Sequence, residues 1–137
     1  MTSGRISLSR FDPLAVRLKN LYSALNDVIA QYSPDVSAVE QVFFAKSVKS
    51  ALSLGQARGV TLAAIAATGI PVYEYSALEV KKTVVGYGRA EKAQVQKMVT
   101  VLLGLKHKPG QDDADALAVA ICHAHSRKGL KKVKGEE

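Results

Sequence analysis

The sequence predicts an α/β layered domain, and three observations carry that prediction. Short apolar or alternating runs near residues 4–9, 36–42 and 70–75 have the length and period of strands. Longer stretches with apolar residues every three or four positions separate and follow them, as helices require. The order strand, helix, strand, helix, strand, then helices implies parallel pairing under a layer of helices. About three strands and about five helices are expected. At 137 residues the chain makes one domain, large enough to bury a core without disulfide or metal staples.

Taken in order, Ile6 and Leu8 alternate with Arg5, Ser7 and Ser9, a half-exposed strand. Asp12-Pro13 supplies an N-cap and a first-turn proline for a helix running to about Tyr32, with Leu14, Leu18, Leu21, Leu25 and Val28 on its apolar face. Ser33-Pro34-Asp35 turns the chain into the central strand, Val36 to Val42. A polar loop around Lys46 to Lys49 leads to a helix over residues 51–68, which Gly69 stops. Ile70 to Tyr75 is the next strand, with Pro71 near its start where a missing N–H is tolerated. Ser76 caps a short helix to Val85, and Gly86-Tyr87-Gly88 links it to a helix over residues 90–103, with Val95, Met98, Val99 and Leu102 on one side. A loop from His107 to Gly110 precedes the last long helix, residues 112–125. Residues 1–126 form the domain, and 127–137 are expected to be a basic, flexible tail.

Composition narrows the partners. Hydrophobic residues make up 47% of the chain and charged residues 23%, which is ordinary globular composition. The net charge of +7 favours a polyanionic partner such as nucleic acid. The one cysteine, Cys122, excludes an internal disulfide framework and reads as a small buried hydrophobe in a reducing compartment. No apolar run approaches the roughly 18 residues that span a bilayer, and no secretory signal pattern opens the chain. A cytoplasmic protein with no membrane partner is expected.

Two groups of carboxylates stand out. Glu40 arrives where the central strand ends, followed by Phe43, Phe44 and Lys46. A glutamate at the tip of a buried strand is costly unless a cation or hydrogen-bond donors receive it. Asp112, Asp113 and Asp115 open the last helix. Acidic residues there complement the helix dipole, but three in four positions exceed what capping needs. Asp112 and Asp115, three apart, share a helix face. Together with Glu40 they would form an all-oxygen cluster suited to Mg²⁺ or Mn²⁺, ions that activate water in phosphodiester cleavage.

Four motifs in order, Val39 to Phe43, Leu52 to Gly59, Val80 to Gly88, and Asp112 to Ala118, closely resemble the RuvC family of bacterial Holliday-junction resolvases. The resemblance covers most of residues 5–125. It implies an RNase H-like fold, a homodimer that cuts four-way DNA junctions symmetrically with Mg²⁺, and association with a branch-migration helicase complex. Its metal-binding carboxylates fall on Glu40, Asp112 and Asp115, an aromatic near the junction crossover on Phe43, and basic residues that hold or cut DNA on Lys81 and Lys92. Lys46, Lys49 and Arg58 are weaker candidates for phosphate contact. The dimer surface implied is the helix from Ala51 onward. His123 and His125 lie two to three turns from Asp115 and are not expected to ligate metal.

The resemblance also implies a fourth carboxylate, at the end of a first strand that this sequence does not contain. The chain begins at what resembles the family's third strand. Two explanations fit: a start that lies upstream, which the intact carboxylates favour, or a branched-DNA-binding remnant that does not cut. A fragment unable to fold alone is the third outcome.

Overall fold

The computed structural model describes residues 1–41 and 47–135. Its elements are α1 (Leu14–Tyr32), β1 (Ser37–Glu40), α2 (Val48–Ala66), β2 (Val72–Tyr75), α3 (Ala77–Val84), α4 (Lys92–Leu103) and α5 (Gln111–Gly135). The α/β class and the five helices are as expected. Among the described residues the sheet has two strands, β1 beside β2. Ser37 N–H donates to the Pro71 carbonyl at 2.9 Å and Gln41 N–H to the Tyr75 carbonyl at 2.8 Å. The offset is the same at both ends, so the strands run parallel.

The strand expected over residues 4–9 does not form. Its alternation says which side chains could share a face, but a strand is fixed only by a neighbour's N–H and C=O groups. Residues 1–5 are instead tied by side chains: Ser3 Oγ donates to Asp113 Oδ2 at 3.0 Å, and Arg5 Nη1 lies 3.6 Å from Asp112 Oδ2.

Local chemistry sets most boundaries. Pro13, rather than Asp12, stands at the N-cap of α1, and no side chain caps that end. Ser33 closes α1 in the left-handed region, φ +47°, its N–H donating to the Ile29 carbonyl. The second helix starts earlier than expected because Ser47 caps it, accepting from Ser50 N–H at 3.1 Å, so Lys49 is helical. Ser76 and Glu79 form a reciprocal capping box at α3. Gly104, φ +62°, ends α4, a backbone angle that costs other residues a Cβ clash. The last helix continues past the expected end near His125 to Gly135, where no proline interrupts it.

The chain divides into two compact units, Met1–Arg5 with Ala38–Gln41 and Glu74–Glu137, and Ile6–Ser37 with Val42–Tyr73. In the first, α3 and α4 both pack on α5. Its core is Tyr75, Val80, Val84, Ala90, Val95, Val99, Ala114, Leu117, Ala118, Val119 and Cys122. Burying each of the valines and the leucine contributes about 1.5–3 kcal/mol. Of the face expected on α4, Val95 and Val99 are buried while Leu102 is 49% exposed. In the second unit α1 packs on α2, where Ala64 and Ile65 are buried.

Candidate metal and nucleic-acid site

Four elements of the first unit deliver charged side chains to one pocket. Glu40 ends β1, Lys81 lies on α3, Lys92 is the first residue of α4, and Asp115 sits one turn into α5. Ala77, Val80, Val95 and Ala118 complete the lining. These apolar walls follow from helical spacing: Val80 and Val95 face the core of their helices, and Ala118 lies one turn beyond Asp115.

That mixture explains the electrostatics. Burial first, and the Asp115 charge second, push the Glu40 carboxyl above its ordinary value of 4.5, while Lys92 and Lys81 pull it back. Lys92 Nζ stands 3.9 Å from Asp115 Oδ2. The Lys92 side chain is 67% exposed and that of Asp115 45%, so this pair contributes on the order of 0–1 kcal/mol and is easily exchanged for another partner. A carboxylate whose proton affinity is raised by a second carboxylate beside it is part of a donor set whose repulsion a hard divalent cation would relieve. On that chemistry Glu40 and Asp115 fit such an ion as two of its ligands.

Asp112 stands apart. It does not line the pocket, and its carboxylate faces Arg5 on the exposed side of α5. Among the described residues, no three His, Cys, Asp or Glu side chains are grouped closely enough to hold a metal ion. The structure therefore brings together Glu40, Asp115, Lys81 and Lys92, and leaves Asp112 outside. Arg58 and Lys49 lie on α2 of the second unit. Phe43 and Lys46 fall outside the described residues.

One pair was not anticipated from the sequence. Tyr75, buried at the end of β2, shares a 2.6 Å hydrogen bond between its hydroxyl and His123 Nδ1. The two rings lie 5.8 Å apart. A histidine two turns after Asp115 and a strand-ending tyrosine were both visible, but nothing in the sequence links positions 48 residues apart. Cys122 is buried as expected, with its Sγ 3.5 Å from Thr83 Oγ1. No helix among the described residues is long and apolar enough to cross a membrane.

Comparison with known proteins places the chain among relatives of one description. A family model described as crossover junction endodeoxyribonuclease RuvC matches residues 1–123. Over 119 residues the chain is 55% identical to crossover junction endodeoxyribonuclease RuvC of Geobacter sp. (strain M21), covering 87% of this chain and 73% of that one. The enzyme of the same description from Clostridioides difficile (strain 630) is 56% identical over 119 residues, covering 86% and 70%. A structure described as T. thermophilus RuvC in complex with Holliday junction substrate matches with TM-score 0.84 and 36% identity, over 90% of this chain and 76% of that one. The expected fold is borne out by that match.

Proposed function

This chain belongs to the RuvC family of crossover junction endodeoxyribonucleases, and on that premise we propose that it is a divalent-cation-dependent endonuclease cutting four-way DNA junctions. The observation that carries the reading is the convergence of Glu40, Asp115, Lys81 and Lys92 on one pocket. Glu40 and Asp115 would hold Mg²⁺, or Mn²⁺ in its place, through carboxylate oxygens. The cation, when bound, supplies an activated water and stabilises the leaving oxygen of the phosphodiester.

The chain's own residues do the rest. Lys92, only weakly held by Asp115, is free to turn toward a phosphate and offset charge that develops on it. Lys81 lines the same pocket and would hold the strand by charge. The apolar wall of Val80 and Val95 limits water around the carboxylates and strengthens these interactions. Asp112 joins as a third ligand only by leaving Arg5, and that surface pair costs at most about 1 kcal/mol to break. Phe43, Lys46 and Arg58 are proposed DNA contacts.

A four-way junction has two strands to cut, and paired nicks need two copies of the site related by symmetry. The protein is therefore proposed to act as a homodimer, and the exposed Val48 and Leu52 of α2 support that helix as the contact. A cytoplasmic location and a helicase partner complete the proposal.

A second reading, junction binding without cutting, draws on the position of Asp112 outside the pocket. A synthetic four-way junction and a linear duplex of the same sequence separate the two. With Mg²⁺, the first reading expects symmetric nicks in the junction and none in the duplex. Retention of the junction without nicks would favour the second, and equal cutting of both substrates would remove the junction specificity.

A further inference from the structure

We propose that Tyr75 is a positioning residue that sets the separation of the Glu40 and Asp115 carboxylates. The inference rests on the cation site proposed above. Tyr75 makes two hydrogen bonds in different directions. Its carbonyl accepts from Gln41 N–H at 2.8 Å, which fixes the end of β1 beside Glu40. Its hydroxyl is bonded at 2.6 Å to His123 Nδ1 on α5, the helix that carries Asp115.

The residue thus joins the two elements that deliver the two carboxylates. Both side chains are buried, Tyr75 to 8% exposure and His123 to 8%, so the bond is shielded from competing water. From His123 to Asp115 is about 12 Å along one uninterrupted helix. A rigid helix passes a shift at one end to the other, and at a reacting centre a misplacement of about 1 Å can cost roughly 100-fold. The rings are tilted at 57° with centroids 5.8 Å apart, a contact that Tyr75→Phe would keep while losing the hydrogen bond.

The test uses the full chain and Mn²⁺ as the probe, with free ion counted by electron paramagnetic resonance and folding followed by circular dichroism at the same temperature. The wild type is expected to bind Mn²⁺ saturably, and Asp115→Asn to lose that binding. Tyr75→Phe and His123→Leu are expected to weaken it about tenfold while remaining folded. His123→Asn, whose amide can replace Nδ1, is expected to recover most of the affinity lost by His123→Leu. Unchanged Mn²⁺ affinity in Tyr75→Phe, with Asp115→Asn still defective, would overturn the positioning role and leave the proposed cation site standing. Equal weakening in His123→Asn and His123→Leu would overturn it too, because packing rather than the hydrogen bond would then be responsible. If Asp115→Asn binds Mn²⁺ like the wild type, the cation site itself fails and the positioning role falls with it.

Discussion

Helix α5 buries Ala114, Leu117, Ala118, Val119, Cys122 and His123, whereas α1, with 19 residues and a clear apolar period, buries none. Leu14, Val28 and Tyr32 of α1 are 44%, 43% and 52% exposed. The two helices were equally legible as helices, because period and local chemistry decide that question. They differ in what packs against them. In the first unit α3 and α4 both cover α5, and in the second α1 has α2. The proposed site belongs to the better-packed unit. Its carboxylates and lysines ride on elements whose own positions are set by a core.

The contrast can be broken by mutation. Val99→Ala removes two methyl groups from a fully buried position in the first unit and is expected to cost about 2–3 kcal/mol. Val28→Ala in the second is expected to stay within about 0.5 kcal/mol. Urea unfolding of both measures the difference, and equal costs would remove the distinction between the units.

Capping should cut across it, since a cap is satisfied locally. Ser76→Ala breaks a reciprocal box with Glu79 and is expected to lower stability by about 1–2 kcal/mol. Ser47→Ala breaks a one-way cap in the other unit and should cost about 0.5–1 kcal/mol in the same urea unfolding measurements. A smaller effect is expected for Arg5→Ala, below about 1 kcal/mol, because the pair with Asp112 is on the surface. That variant should release Asp112 without reducing junction cutting, and a loss of cutting would assign Arg5 a direct role.

The pH dependence sharpens the site's own cost. The folded chain holds the Glu40 proton more tightly than the unfolded chain does. Stability therefore falls as pH rises through 4.5 toward the raised value, and the deficit is complete above it. Glu40→Gln should stabilise the fold at neutral pH and leave it unchanged below the ordinary carboxylate range. Denaturant midpoints at pH 4 and pH 7 test the sign, and a stabilisation of equal size at both would contradict the raised proton affinity of Glu40.

What the sequence disclosed divides along the same physical line. Glu40, Asp115, Lys81 and Lys92 were legible because a strand end, a helix first turn and four ordered motifs each carry a local or a familial signal. The helix cap at Ser76 was local as well. The strand over residues 4–9 failed because pairing is not a property of the strand alone. Asp12 failed as a cap because Pro13 took that position, a one-residue shift that propensity does not resolve. The separation of Asp112 from Asp115 was hidden because a shared helix face, three residues apart, still spans enough arc for one side chain to enter a pocket and the other to meet Arg5. Tyr75 and His123 were hidden because their meeting depends on the tertiary fold.

The central claim is that Glu40 and Asp115 act in one cation-dependent cutting site. It is tested most directly by incubating a labelled four-way junction with the wild type, Glu40→Gln and Asp115→Asn, with Mg²⁺ and with a chelator, while following binding by gel retardation. The expected result is paired nicks from the wild type in Mg²⁺ alone, and at least about a hundredfold slower nicking from both variants with junction binding retained. Cutting by either variant at the wild-type rate, or undiminished wild-type cutting in chelator, would contradict the account.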